Sequence, residues 1–177
     1  MQDADMLRLY GLMLCMPDKE SLSLLQLLST EHAWMQAGLY ELTETPLSHW
    51  QGEYTRLFVN GFPSTPAPPY ESVYRHRTMC GPVVDELSEL YREAGLCVGQ
   101  MPADYLGTQL EFAAYLIDSN DPRAAHWHAR LWREHLQNWL PGFIADVCQH
   151  SRLLLYRLWG GQLTLLATRM QGELVIV

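Results

Sequence analysis

The sequence predicts an all-α protein. Apolar residues recur at helical spacing along nearly the whole chain of 177 residues, and the pattern is broken mainly at glycine and proline. No stretch shows a convincing strand alternation, a repeat or a low-complexity tract. The expected architecture is one helical domain over residues 1–177, a bundle of about eight or nine helices. A hinge near 95–102 would join its N- and C-terminal parts.

Met6, Leu9, Tyr10, Met13 and Leu14 lie at helical spacing, and Pro17 closes that first helix. Asp18 is placed to cap a second helix, Leu22 to Leu28. A third runs from about Glu31 to Ala37 and is expected to end near Gly38. Thr45 and Pro46 read as cap and first residue of a fourth, with Leu47, Trp50, Tyr54, Leu57 and Phe58 down one side. Residues 61–74 hold Pro63, Pro66, Pro68 and Pro69, which exclude regular structure and predict a loop. Gly81-Pro82 opens a fifth helix to about Ala94, and Gly95 terminates it.

Residues 103–118 form the sixth helix, with Leu106, Leu110, Ala113, Ala114 and Ile117 inward. Asp121-Pro122 starts a seventh, to about Leu140. Pro141-Gly142 is expected to break the chain before an eighth, Phe143 to His150. Ser151 to Met170 reads as a ninth, weakened at Gly160-Gly161. Leu174 to Val177 is a frayed tail or the end of a helix.

Composition narrows the function classes. The net charge is −8, which disfavours nucleic acid and anionic lipid and favours a basic partner. Charged residues are only 18%, fewer than in an average domain, so some apolar surface is free for a partner. Cys15, Cys80, Cys97 and Cys148 form no Cys-x-x-Cys pair, which removes the zinc-ribbon and thioredoxin-like readings. They are expected as small buried thiols in a reducing cytosol. The start is acidic, and no apolar run approaches a membrane span. A soluble, cytoplasmic protein without stable membrane association is expected.

Catalytic motifs are missing. No Gly-x-x-x-x-Gly-Lys-Ser/Thr loop, Gly-x-Ser-x-Gly elbow or Glu-x-x-His pair occurs. His49 with Glu53, and Asp146 with His150, are carboxylate–histidine pairs on one helical face, yet neither completes a metal set. No metal, no cofactor and no enzymatic activity are expected.

Three patches remain. Met101-Pro102-Ala103-Asp104-Tyr105 opens the sixth helix; Pro102 restrains the residue before it and marks a helix boundary. Tyr54-Thr55-Arg56-Leu57-Phe58 precedes the proline-rich loop, which ends in Pro68-Pro69-Tyr70-Glu71-Ser72-Val73-Tyr74. Glu134-His135-Leu136 leads through Trp139-Leu140 to Pro141. On residue spacing alone, the stripe Trp50, Tyr54, Leu57 and Phe58 is core or site, and Asp104 is a helix-capping residue or a binding residue.

In order and spacing, these patches resemble the TorD/DmsD family, chaperones that mature molybdenum-dependent redox enzymes. The family's hinge reads Glu-Pro-x-Asp-His. Here Pro102 and Asp104 keep it, while Met101 and Tyr105 replace the flanking Glu and His. Tyr105 stacks and donates one hydrogen bond but supplies no cation near neutral pH.

The resemblance implies a cytoplasmic chaperone that assists cofactor insertion and proofreads before export, in the setting of anaerobic respiration. Its partners would be a molybdoenzyme catalytic subunit and that subunit's twin-arginine signal peptide. It also implies a monomer or a domain-swapped dimer. It places Tyr54, Leu57 and Phe58 as apolar client contacts, with Tyr70, Glu71, Gly81, Asp104 and Tyr105 beside them and Pro102 at the hinge. Weak guanine-nucleotide binding is implied by the family alone. The competing readings are a metal-dependent helical-bundle enzyme and a general helical protein-binding adaptor.

Overall fold

The computed structural model describes residues 3–97 and 99–175 of the chain, the side chains of 173–175 excepted. It is helical, and among the described residues it holds no strand, only an isolated antiparallel bridge between Tyr70 and Tyr105. The helices are α1 (Asp3–Leu12), α2 (Ser21–Leu28), α3 (Gln36–Thr43), α4 (Leu47–Tyr54), α5 (Glu71–His76), α6 (Pro82–Glu93), α7 (Leu106–Asp118), α8 (Ala124–Arg130), α9 (Gln137–His150) and α10 (Leu154–Val175). A 3-10 turn (Ala33–Met35) precedes α3, and π-turns follow α4 (Thr55–Val59) and α8 (Leu131–Leu136).

The chain forms two compact units. The first comprises the described residues of Met1–Leu14, Pro69–Gly142 and Leu166–Val177; the second comprises Cys15–Pro68 and Phe143–Leu165. Residues 95–102, the expected hinge, lie inside the first unit, and the unit boundaries fall elsewhere.

In the first unit α1 packs along α7. The rings of Tyr91 on α6 and Phe112 on α7 meet edge-on at 4.6 Å. Gly81 precedes Pro82 with φ +111°, a conformation that glycine adopts without strain. That freedom is its role: an added Cβ would meet nothing within 4 Å, so the glycine is not there for a close approach.

In the second unit the cap position of α2 falls on Glu20 and not on Asp18, which supports the helix start from two residues earlier. The Asp18 carboxylate accepts the N–H groups of Glu20 and Ser21 at 3.0 and 2.9 Å. Phe58 lies edge-on to Tyr54, Tyr156 and Trp159 at 5.4, 5.1 and 6.1 Å. The Trp50 indole donates to the Tyr156 hydroxyl at 3.0 Å within the same core.

Four further details differ from the sequence expectation. Gly38 does not end a helix; it lies within α3, where a Cβ would stand 2.6 Å from the Leu155 Cα, so it serves close backbone packing. Thr45 does not cap α4: its hydroxyl donates to the Glu41 carbonyl, and Pro46 takes the cap position. Pro141 does not break the chain but lies inside α9. The π-turn ahead of α9 has carbonyls to satisfy, and the amides of Gln137 and Asn138 donate to Arg133 and Glu134 there. The four cysteines are free and exposed, not buried. The tail expected at 174–177 enters α10 through Val175; residues 176 and 177 lie outside the described residues.

Candidate functional site

The patches that stand apart in sequence meet in the first unit. The Leu106 N–H donates to the Pro69 carbonyl at 2.9 Å, and the Glu71 N–H to the Asp104 carbonyl at 3.0 Å. Between these bonds lie Tyr70 and Tyr105, bridged through their backbones, with ring centroids 5.4 Å apart. The end of the proline-rich loop is thus paired with the segment that opens α7.

Asp104 caps a helix, but not its own. Its carboxylate accepts the Ser72 N–H at 3.1 Å, in the first turn of α5. At 2% exposure it is internal. Glu71 is fully buried and receives three side chains: Arg75 Nη1 at 2.8 Å, Gln109 Nε2 at 2.8 Å and His135 Nδ1 at 3.1 Å. A carboxylate paired with Arg75 accepts, so the imidazole Nδ1 carries the proton toward it. The Gln109 oxygen faces the Trp139 indole N–H at 3.4 Å. All three donors to one buried carboxylate compensate its desolvation.

The late patch joins through His135 and Trp139, and the Tyr74 ring lies 5.5 Å from Trp139. Nearby, the Tyr91 hydroxyl donates to the Ala103 carbonyl at 2.8 Å. Burial pushes that hydroxyl's pKa well up, with the Glu71 and Asp104 charges adding to the effect.

An apolar groove of about 510 Å³ flanks this junction. Tyr91, Leu96, Met101, Tyr105, Phe112 and Tyr115 form much of its wall, with Cys97 and Glu111 also on the lining. Met101 is 47% exposed and Tyr115 39%. The Tyr105 ring lies over Gly107, where a Cβ would come within 2.6 Å of it, and its hydroxyl donates to the Leu14 carbonyl at 2.8 Å. Tyr105 is thereby a fixed part of the wall. Glu111 is exposed and faces Arg8 Nε at 3.5 Å.

The expected site residues therefore divide. Tyr70, Glu71, Asp104 and Tyr105 come together, with Pro102 exposed on the approach to α7 and Gly81 at the start of α6. Glu71 and Asp104 correct the expectation of carboxylates open to a client's arginines: both are internal and hydrogen-bonded. Tyr54, Leu57 and Phe58 belong to the second unit and to its core, where Leu57 is fully buried and Phe58 is 2% exposed. Their expected contact face is occupied by neighbouring side chains.

Ser72, Arg75 and Gln109 had no expected role at the site. Gln109 left a signal: it sits on the apolar side of α7, beside Leu106, Leu110 and Ala113, where a polar residue needs internal partners. Among the described residues, no group of three or more His, Cys, Asp or Glu could hold a metal ion. No helix among them is long and apolar enough to cross a membrane.

The model of the family described as nitrate reductase delta subunit matches residues 23–145. The chain belongs to that family, whose members include the TorD/DmsD type of redox enzyme maturation chaperone that the sequence patches resemble. Among solved structures, it is similar to a candidate redox enzyme maturation protein from Archaeoglobus fulgidus. The identity is 21% and the TM-score 0.68, over 97% of this chain and 95% of that one. No curated protein matches the chain.

Proposed function

We propose that this chain is a non-enzymatic, cytoplasmic chaperone for a molybdenum-cofactor oxidoreductase. It binds the client's twin-arginine signal peptide and apo form, holds it from export and favours cofactor insertion. It carries no cofactor of its own.

The observation that carries this reading is the apolar groove whose wall includes Met101 and Tyr105 of the family-like segment. A signal peptide supplies the complementary chemistry, an apolar run beside two arginines. Burying one large apolar side chain contributes about 1.5–3 kcal/mol, and an exposed ion pair about 0–1 kcal/mol. The groove therefore sets affinity. Glu111 on its lining, and the chain's net charge of −8, favour an arginine-bearing partner.

Release follows from differential affinity: the unfinished client presents its leader, and maturation changes the surface that competes for it. The buried network of Glu71, Asp104, Gln109 and His135 positions the groove and makes no contact with the client.

Affinity purification from anaerobically grown cells, with mass spectrometry of what is retained, tests the reading. The expected partner is a molybdoenzyme subunit still carrying its twin-arginine leader. Retention of a leaderless folded protein alone would favour the adaptor reading. Stoichiometric metal in the purified chain would favour the enzyme.

A further inference from the structure

A second cavity, of about 410 Å³, lies within the second unit and has more charged residues on its lining. Its lining includes Thr45, Ser48, His49, Glu53, Arg56 and Arg152. We propose that it is an oxyanion site, taking the phosphate or carboxylate of a small ligand between Arg56 and Arg152. The proposal is independent of the client-binding reading.

The site is built around Glu53, which is 7% exposed. Its carboxylate accepts Nε and Nη2 of Arg56, both at 2.8 Å, and the backbone N–H of Arg152 at 2.7 Å. One internal carboxylate thus fixes the plane of the first guanidinium and the backbone position of the second. Arg56 is held further by the bond from Nη2 to the His150 carbonyl at 2.6 Å. This two-point hold leaves Nη1 of Arg56 without a hydrogen-bond partner among the described residues. The Arg152 guanidinium likewise has none among them. Nη1 of Arg56 and the Arg152 guanidinium are therefore charged donors on the lining of one cavity, suited to an anion's oxygens.

Charge balance agrees. The lining carries two arginines against one carboxylate, so its formal charge is positive on a chain of net charge −8. Ser48 and His49 come from the first turn of α4, the positive end of the helix dipole, which favours an anion. The Ser48 hydroxyl and the His49 ring add polar contacts. The Thr45 hydroxyl is committed to the Glu41 carbonyl at 2.9 Å and is available only as an acceptor. The volume exceeds that of a bare ion and leaves room for a carbon body.

NMR titration of the full chain with inorganic phosphate, and separately with acetate, tests the site at constant ionic strength. Saturable shifts at the His49 and Gly52 amides are expected with phosphate, acetate or both. Phosphate alone would assign a phosphate-bearing ligand, and both would assign a general oxyanion site. Arg152→Ala, an exposed side-chain change, should weaken the saturating response about tenfold, because it removes charged donors. Arg56→Lys should weaken it as well, while Arg123→Ala, on the other unit, should leave it intact. Absence of saturation with both anions would overturn the proposal. Equal responses in wild type and Arg152→Ala would overturn it too.

Discussion

Asp104→Ala separates a positioning carboxylate from a client-binding one. In wild type the carboxylate accepts the Ser72 N–H at 3.1 Å and is 2% exposed. Truncation leaves that N–H without its acceptor in a place water does not reach. Losing a helix cap costs about 0.5–2 kcal/mol, and a buried donor without a partner about 1–3 kcal/mol. Both figures describe the same bond, so the expected loss is about 2 kcal/mol. For a chain of this size that lowers Tm by roughly 4–8 °C. Asp104→Asn retains an acceptor oxygen and should lose about 1 kcal/mol or less. Calorimetric melting measures the first quantity, and amide exchange at Ser72 localises it. A solvated binding carboxylate would behave otherwise, with a stability change within about 0.5 kcal/mol. An unchanged Tm in Asp104→Ala, with normal protection of the Ser72 amide, would refute the capping role.

Three further outcomes are expected. Leu57→Ala removes a fully buried side chain from the second unit and should destabilise by about 2–5 kcal/mol in chemical denaturation. Gly38→Ala drives a Cβ to within 2.6 Å of the Leu155 Cα and should destabilise by about 1–3 kcal/mol, whereas Gly11→Ala, with open space around its Cβ in α1, should stabilise by up to about 1 kcal/mol. Burial lowers the His128 pKa to about 4, and the Trp132 indole donates to its Nε2 at 3.1 Å. The unfolded chain binds this proton first, so stability is complete above about pH 6.5 and falls as pH drops toward 4, by at most about 3 kcal/mol. His128→Gln, which keeps an acceptor for the indole, should flatten that part of the Tm–pH curve relative to wild type.

The helical class was legible because helix breakers punctuate a consistent apolar period. Gly81 and Pro82 were read correctly from local chemistry alone, and Asp18 was placed at the right helix start, two residues before the cap. Gly38 was misread for a tertiary reason, and Pro141 for a local one. The first answers to the backbone of Leu155; the second stands near the start of α9, where the missing N–H removes one bond, to the Gln137 carbonyl, and does not end the helix. At the site, the family-like patches marked the right segments but not the duties within them. Glu71 and Asp104 look like surface carboxylates until Arg75, Gln109, His135 and the Ser72 N–H are seen to surround them. Long-range pairing of that kind has no local signature. Met101 looked like the loss of a family glutamate, whereas its exposed side chain forms part of the groove wall.

The central claim is that the apolar groove beside Met101 and Tyr105 holds a client's signal peptide. Isothermal titration of the retained oxidoreductase's leader peptide into folded protein, well below Tm, tests it most directly. Met101→Ala and Tyr115→Ala should each raise Kd by about 5–30-fold, the equivalent of about 1–2 kcal/mol of lost apolar burial. Folded Leu57→Ala should bind at full strength. Unchanged affinity in both groove variants, with loss of affinity in folded Leu57→Ala, would contradict the account.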